Sequence, residues 1–367
     1  MEIMSEPLGI LWKNKGYVVL GVGLVILFAW GHFSGEAQKE KSRSRDQDQR
    51  VEARLQKAEE SFKAAIKEKG SVEQYLRENP GPALALNLAI LLLLALILYG
   101  FWIDAWCIQK WWKDRRLLET LPFSEVPRWT IGDVFRVMIL FLAFSVLLGV
   151  VGDLAAKFIP YFRSPNVRMV FHGTLADLTA LGLVLYFSCW KYGQSFFKLQ
   201  IRQENVWEDI KVGIGAYLAV LPVVLTLLGL LVWIVSIFHY EPPPQKVVGI
   251  FMEEGKGNPF LVFYTALLAM VIGPVLEEIF FRGFFYTAFR KKYSAIPSAL
   301  VTGVFFSLLH ESLFAFLPIF LLSLLLTYVY EKRKSLAASI ACHVAHNTLF
   351  LGYFFLMKQN FLDKFLH

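Results

Sequence analysis

Cysteines and charged residues are both scarce in this sequence. The three cysteines, Cys107, Cys189 and Cys342, lie in or beside apolar stretches and form no CxxC pair, so neither a disulfide framework nor a cysteine-based zinc site is indicated. Charged residues make up 18% of the 367 residues, whereas hydrophobic residues make up 56%. Because a soluble domain of this length could not bury so much apolar surface, the composition predicts an integral membrane protein.

The charge balance gives no reason to expect a nucleic-acid partner. The formal net charge of +7 is explained by basic loops on the cytoplasmic side of a membrane protein, where lysine and arginine accumulate. Aromatic residues make up 16% of the chain, which suits lipid-facing helices with aromatic belts at the interfaces. The lipid bilayer is therefore the first predicted partner.

Long apolar stretches predict an all-α fold, a polytopic bundle of about nine transmembrane helices. A helix needs about 20 apolar residues to cross roughly 30 Å of hydrocarbon, and the first and seventh stretches are shorter than this. The predicted spans are residues 17–33, 83–103, 135–158, 169–190, 212–238, 260–281, 296–310, 313–330 and 336–357.

The distribution of basic residues predicts a cytoplasmic N-terminus and a C-terminus outside. In this orientation the basic clusters 290–292 and 332–334 fall on the inner side, as the positive-inside rule requires. Residues 34–80 argue against it, because they would lie outside although they hold many basic residues between Lys39 and Arg77. We keep the orientation that the other loops favour and expect a bacterial-type inner membrane.

Residues 34–80 predict a soluble helical insert between the first two spans. Apolar side chains recur there at helical spacing along one stripe, and Gly70 ends the pattern. The stripe consists of Val51, Leu55, Ala58, Phe62 and Ile66. Two interpretations stay open, a solvated spacer that packs on itself and an arm that binds a partner or dimerises. The preceding span resembles a signal sequence without a clean cleavage site, so we predict a retained anchor.

Two adjacent carboxylates, Glu277 and Glu278, interrupt the apolar span 260–281. Charged side chains inside a span cost several kcal/mol unless they are paired or hydrated, so each indicates a function. Glu278 and Arg282 are four residues apart and can form an ion pair on one helix face. Glu277 projects about 100° away from Glu278, which leaves its carboxylate for water or a metal ion.

Imidazole and amide side chains mark two further spans. His310 ends the span 296–310 in the pattern FxxxH, and His343 and Asn347 share one helix face in the pattern HxxxN. His346 borders that face. Each pattern is weak by itself, because a single histidine is more often a structural or interfacial residue. Other polar residues inside spans are interpreted as structural, namely Asp153, His172 and Asp177.

Depth in the membrane connects these patterns. Measured from Arg290, Ile296 and Lys334 at the inner edge of the membrane, the distances along the chain are thirteen residues to Glu277, fourteen to His310 and thirteen to Asn347, which corresponds to about 20 Å at 1.5 Å per residue. Three separate helices would thus bring polar residues to one membrane level.

These residue types at one level suit the hydrolysis of a peptide bond within the membrane. We hypothesise that Glu277 is the general base, that His310 co-orients the attacking water, and that His343 and Asn347 form the oxyanion hole. The same atoms allow a zinc site made by Glu277, His310 and His343, with a metal-bound water as nucleophile. The sequence does not separate a metal-free site from a zinc site.

The ordered patterns EExxxR at 277–282, FxxxH at 306–310 and HxxxN at 343–347 resemble the CAAX-protease and bacteriocin-processing family of intramembrane proteases, which includes the type II CAAX prenyl endopeptidases. The resemblance covers residues 259–355. It implies an endopeptidase acting on a membrane-associated peptide, such as a prenylated or bacteriocin-like one. Members have been described both as metalloproteases and as metal-free glutamate proteases. The implied catalytic residues are Glu277, His310, His343 and Asn347, with Glu278 and Arg282 in support.

The sequence is therefore divided into five segments: a tail and anchor (1–33), a soluble helical segment (34–80), flanking transmembrane helices (81–258), a catalytic core (259–357) and a C-terminal tail (358–367). Two other functions stay open. A non-catalytic scaffold or immunity protein of the same family would bind a membrane partner through the same cavity. An ion-coupled transporter would use the polar residues as a proton path, but the sequence shows no repeat of the spans.

Overall fold

The computed structural model describes residues 35–114, 126–196, 205–239, 245–254, 257–310 and 312–359, together with five positions between 16 and 23. Regular structure in these ranges is helical throughout, so the predicted all-α fold is confirmed. The helices are α1 (Gly35–Lys69), α2 (Val72–Glu78), α3 (Pro80–Asp114), α4 (Ile131–Phe158), α5 (Pro165–Leu185), α6 (Val206–Ile237), α7 (Lys246–Glu253), α8 (Pro259–Arg290), α9 (Ala295–Leu308), α10 (Leu313–Arg333) and α11 (Leu336–Met357).

Seven helices within the described ranges are long and apolar enough to cross a membrane. They are α3, α4, α5 with its continuation to Trp190, α6, α8, α10 and α11. The helix α9 is also apolar but has only 14 residues, in agreement with the shortness of the predicted seventh span. These helices coincide with the last eight predicted spans. The first, 17–33, lies almost wholly outside the described residues.

The break between α1 and α2 follows from two residues. Gly70 has a φ of +81°, a left-handed conformation that glycine adopts without the steric cost of a Cβ atom. Ser71 then caps α2, because its hydroxyl accepts a hydrogen bond from the backbone N–H of Gln74 at 3.1 Å. The helix end predicted at Gly70 is therefore found.

Contacts divide the chain into two compact units. The first unit takes its residues from Met1–Arg45, Phe123–Gln200 and Leu276–Ser298, and the second from Asp46–Pro122, Ile201–Val275 and Ala299–His367. The helix α8 passes from the second unit to the first between Val275 and Leu276.

In the first unit α4 packs against α5, and α5 also contacts the segment Ile279–Tyr286 of α8. Trp129 is fully buried beside that segment. Its indole N–H donates to the carbonyl oxygen of Phe284 at 3.0 Å and to the hydroxyl of Thr287 at 3.1 Å. Its ring also stacks on Phe284, with 5.6 Å between the ring centroids. The residues that precede α4 are thereby fixed to α8.

A buried carboxylate organises the start of α4. Asp133 has no exposed side-chain surface and forms ion pairs with Arg136 and Lys191. It also accepts hydrogen bonds from the hydroxyl of Tyr192 at 2.7 Å and from the backbone N–H of Thr130 at 3.0 Å. These bonds attach the first turn of α4 to the residues that follow α5.

In the second unit α3, α6, α10 and α11 pack together. Gly213 of α6 faces the backbone of α11 so closely that a Cβ atom there would lie 2.0 Å from the carbonyl oxygen of Ala338. Glycine at this position allows the two backbones to approach, as small residues commonly do between membrane helices. The core of the unit is formed by Tyr217, Leu221, Leu322, Leu326 and Cys342.

Within the second unit, the part of the charged helix α1 that begins at Asp46 packs through its predicted apolar stripe. Val51 and Ala58 are 1% and 3% exposed, and Phe62 contacts Tyr75 of α2 edge-on, with 5.7 Å between the ring centroids. The guanidinium of Arg54 donates to the carbonyl oxygen of Met252 in α7 at 3.0 Å. Both α1 and α2 lie in the predicted insert 34–80, so their contact is of the kind expected for a spacer that packs on itself. The contact with α7 was not predicted.

Candidate active site

The two adjacent glutamates lie in an unusual part of α8. The helix is wound as a π-helix over Leu268–Ile272 and again over Ile279–Tyr286, and the α-helical segment Gly273–Glu278 lies between them. π-Helical turns are rare and frequently occur at functional sites, because they displace side chains from their α-helical positions. Glu277 and Glu278 therefore stand at a change in helical winding.

Glu278 and Arg282 form the ion pair that their spacing predicts. The two side chains are fully buried, and Nη1 of Arg282 donates to Oε1 of Glu278 at 2.7 Å. A charge-assisted hydrogen bond of this length keeps both groups in place within an apolar helix. Glu277 is half-buried rather than buried, so the two neighbouring carboxylates lie in different surroundings.

A third carboxylate lies near Glu277 in the first unit. Asp177 of α5 is half-buried, and its charge interacts with that of Glu277. The sequence interpretation of Asp177 as a structural hydrogen-bonding group did not include this neighbour. The other two residues interpreted as structural do have such partners: Asp153 pairs with Arg168 at 3.7 Å, and Nε2 of His172 bonds the carbonyl oxygen of Ser145 at 2.9 Å.

His310 is oriented by its own helix. Its Nδ1 atom lies 3.0 Å from the carbonyl oxygen of Phe306. Since a carbonyl oxygen can only accept, this bond requires a proton on Nδ1 of His310. In the neutral ring, Nε2 then carries the lone pair, which is the atom a base or a metal ligand would use.

The structure brings His310 and His343 together around one aromatic ring. The Phe306 ring lies 5.1 Å from the His310 ring and 5.7 Å from the His343 ring, measured between centroids. His343 is 3% exposed. The phenylalanine of the FxxxH pattern is therefore the common neighbour of two predicted catalytic histidines, a role that the sequence pattern did not show.

Asn347 is held by the backbone of α8. Its Nδ2 atom donates to the carbonyl oxygen of Ala269 at 2.8 Å, in the π-helical segment Leu268–Ile272. A side-chain amide has two N–H groups, so this bond uses one and the second can be donated to a ligand. The bond fixes the direction of the Asn347 side chain.

The predicted catalytic residues are divided between the two units. Glu277, Glu278 and Arg282 belong to the first unit, whereas His310, His343 and Asn347 belong to the second. Within the first unit the structure groups the ion pair, Glu277 and Asp177. Within the second it groups His310 and His343 around Phe306 and places Asn347 one turn after His343. The assigned catalytic roles stay predictions.

The predicted zinc alternative needs three ligands grouped around one point. Among the described residues, no three His, Cys, Asp or Glu side chains are grouped in a way that could hold a metal ion. The residue types of Glu277, His310 and His343 suit zinc, but no grouping of them supports a bound ion. We therefore derive no step of the reaction through a metal, and zinc stays a prediction.

Comparison with known proteins identifies the segment that contains all these residues. Residues 259–349 match the family model described as type II CAAX prenyl endopeptidase Rce1-like. This match confirms, for that segment, the family resemblance that the three patterns indicate. The seven long apolar helices of the described ranges, together with the match to a membrane-protease family, indicate an integral membrane protein.

Bacterial proteins match parts of this chain. The UPF0177 protein YbdJ of Lactococcus lactis is 37% identical over 92 residues, which cover 24% of this chain and 38% of YbdJ. The UPF0177 protein YaiH of the same species is 25% identical over 208 residues, 56% of this chain and 80% of YaiH. "Putative membrane peptidase YdiL" of Bacillus subtilis is 24% identical over 98 residues, 27% of this chain and 40% of YdiL. The chain thus spans less than half the length of YbdJ and YdiL, and no solved structure matches it significantly.

Proposed function

From the match of residues 259–349 to the type II CAAX prenyl endopeptidase Rce1-like family model, we propose that the chain is an endopeptidase that hydrolyses a peptide bond of a membrane-associated peptide. The six predicted site residues and Phe306 occupy every specified position of the patterns EExxxR, FxxxH and HxxxN. The proposal therefore uses every polar residue of the three patterns.

The observation that carries the proposal is the difference between the two adjacent glutamates. Glu278 is fully buried and engaged by Arg282 at 2.7 Å, which gives it a structural role. Glu277 is half-buried and lies near the charge of Asp177. A carboxylate kept in such a place inside a transmembrane helix costs free energy, so proteins usually retain one only for a function, and catalysis is the function that the accompanying imidazoles and amide suit.

In the proposed reaction Glu277 takes a proton from water as the water oxygen bonds to the carbonyl carbon of the substrate. Nε2 of His310 accepts a hydrogen bond from the other O–H of that water and so orients it, and this hydrogen stays on the water oxygen. The carbonyl oxygen becomes an oxyanion, which His343 and the second N–H of Asn347 stabilise by hydrogen bonds. The C–N bond then breaks, and the proton held by Glu277 passes to the leaving amine.

The substrate and the membrane are part of the proposal. The name of the matching family favours a prenylated peptide, and the family that the three patterns resemble also allows a bacteriocin-like peptide. We place the protein in the cytoplasmic membrane of a bacterium with its N-terminus inside and its C-terminus outside, because the basic clusters 290–292 and 332–334 then face the cytoplasm.

Comparative membrane proteomics of cells that express the wild type or Glu277→Gln tests the proposal. An uncut membrane peptide should accumulate with Glu277→Gln and not with the wild type. Glu254→Gln is the matched control, since Glu253 and Glu254 form another adjacent pair that lies outside the spanning helices. Identical peptide profiles for the wild type and Glu277→Gln would refute the protease and leave a non-catalytic scaffold or immunity protein.

The purified protein in liposomes then separates the two forms of the site. Cleavage of the accumulated peptide that survives a zinc chelator supports the metal-free reaction. Cleavage that the chelator abolishes and added zinc restores supports the zinc alternative. Ion flux through the liposomes without any peptide cleavage would identify an ion-coupled transporter.

A further inference from the structure

Tyr217 and His346 carry two buried polar atoms that the proposed reaction does not use. The Tyr217 side chain is 1% exposed, and its hydroxyl has no hydrogen-bond partner among the described residues. Nδ1 of His346 is also buried and has no partner in the same part of the chain. A buried donor or acceptor left without a hydrogen bond costs the desolvation penalty of that group. Both atoms therefore need an explanation.

The two side chains are neighbours in the second unit. Tyr217 belongs to α6 and His346 to α11, and their rings meet edge-on with 5.5 Å between centroids and an angle of 87°. On another side, the His346 ring lies 4.7 Å from the ring of Phe350. The imidazole is therefore held by two aromatic rings, and its orientation is determined by packing. The two unexplained atoms thus belong to side chains whose rings are in contact across two helices.

We infer that Tyr217 and His346 bind one water molecule between α6 and α11, and that this water fixes the imidazole of His346 as a hydrogen-bond donor beside His343 and Asn347. Water is the ligand that such a site selects, since internal waters occupy small polar sites and bond groups that lack protein partners. The tyrosine hydroxyl donates to the water oxygen, and the water donates to Nδ1 of His346. In a neutral imidazole whose Nδ1 accepts, the proton is on Nε2.

The position of His346 gives this tautomer a consequence for the proposed function, on which the inference rests. His346 directly precedes Asn347, and it interacts electrostatically with His343 and His310. One N–H of Asn347 is already bound to Ala269, so the proposed oxyanion site gains from another donor. Nε2–H of His346 is that donor. Tyr217 touches no substrate and acts through the water as a positioning residue.

The test compares variants of the full-length protein in detergent micelles. Tyr217→Phe removes the hydroxyl and keeps the ring. Thr327→Val is the matched control, because it removes another hydroxyl of the second unit that is buried and has no partner among the described residues. The first readout is the ¹⁵N NMR signal of labelled histidine, which distinguishes a proton on Nδ1 from a proton on Nε2. The second is cleavage of the peptide identified by proteomics.

We expect the wild type and Thr327→Val to show His346 protonated on Nε2, and Tyr217→Phe to show a mixture of tautomers. We also expect Tyr217→Phe to lower kcat about tenfold with KM unchanged, as the loss of a supporting partner does, while Thr327→Val keeps the wild-type kcat. His346→Gln keeps a donor and should retain more activity than His346→Leu. Adding Tyr217→Phe to His346→Leu should cause no further loss, because the water then has nothing to orient.

A proton on Nδ1 of His346 in the wild type would overturn the inference. Equal kcat values for Tyr217→Phe and Thr327→Val would overturn it as well. The NMR result does not depend on cleavage, so a wild type that cleaves nothing but shows the Nε2 tautomer refutes the proposed protease while supporting the water site.

Discussion

Glu278 and Arg282 form a salt bridge in which neither side chain has any exposed surface, with 2.7 Å between Nη1 and Oε1. Such a pair is weak evidence for stability, because taking two charges out of water costs about as much as their attraction returns. The pair is more informative about the two adjacent glutamates, because it shows that Arg282 engages Glu278.

Removing only the cation of this pair should be strongly destabilising. Arg282→Met leaves the buried Glu278 without its compensating charge, and we expect the free energy of unfolding to fall by about 3–5 kcal/mol. SDS-induced unfolding in mixed micelles measures the change. The double variant Glu278→Leu/Arg282→Met removes both charges and should recover most of the loss. If the double variant is as unstable as Arg282→Met, the bridge has another structural role.

The indole N–H of Trp129 should stabilise the first unit through its bonds to α8. Trp129→Phe keeps an aromatic ring against Phe284 but loses both hydrogen bonds of the indole, to Phe284 and Thr287. We expect the free energy of unfolding to fall by about 1–3 kcal/mol, measured by the same unfolding assay. Trp190→Phe is the control, since Trp190 is 84% exposed. Equal effects of the two substitutions would contradict the assignment.

Hydropathy predicts where the spans lie but not where their helices end. The predicted span 260–281 stops where Arg282 lowers the hydropathy, yet α8 continues to Arg290. Arg282 does not end the helix because Glu278 neutralises it inside the bundle. Similarly, α3 continues past residue 103 to Asp114, where the ammonium of Lys110 lies over the ring of Trp106 at 5.2 Å. Local pairing of a charge is what a hydropathy average leaves out.

Contacts within one helix were predictable, and contacts between helices were not. The spacing of Glu278 and Arg282 predicts their ion pair because residues four apart share a helix face. Nothing in the sequence indicates that Asp177 lies near Glu277, or that Phe306 lies between His310 and His343. Those contacts depend on how separate helices pack, which a single sequence specifies only through its complete fold. For the same reason, the sequence did not predict that Tyr217 contacts His346.

Gly213 should be required for the close packing of α6 on α11. Gly213→Ala places a Cβ atom 2.0 Å from the carbonyl oxygen of Ala338, so the helices must separate, and we expect a loss of about 1–3 kcal/mol in the free energy of unfolding. Gly215→Ala is the matched control on the same helix, because nothing lies within 4 Å of its added Cβ atom. That control should be neutral or stabilising by up to about 1 kcal/mol. Equal stability of the two variants would contradict the close approach.

The first unit should lose stability at alkaline pH, because Lys191 loses its charge there. Burial lowers the pKa of Lys191, but hydrogen bonds to Asp133 and Tyr192 outweigh burial and raise it above its ordinary value of 10.5. A raised lysine pKa stabilises the fold below the unfolded value and loses that contribution as pH rises through the folded value. The melting temperature should therefore fall more steeply above about pH 10.5 in the wild type than in Lys191→Arg, whose side chain stays charged. Parallel curves would contradict the prediction.

The packing of residues 46–69 of α1 within the second unit should slow tryptic cleavage of this basic segment. Val51→Asp places a carboxylate at a position that is 1% exposed, and an unpaired charge there would be buried at high cost unless the helix detaches. We expect faster tryptic cleavage within residues 46–69 than in the wild type. Ala53→Asp is the matched control, since Ala53 is exposed two positions further along the same helix, and it should be cleaved at the wild-type rate. Because this packing involves Arg54 and the Met252 carbonyl of α7, Arg54→Ala should increase cleavage less than Val51→Asp does. Equal cleavage rates for Val51→Asp and Ala53→Asp would show that burial of the apolar stripe does not determine how residues 46–69 of α1 are packed.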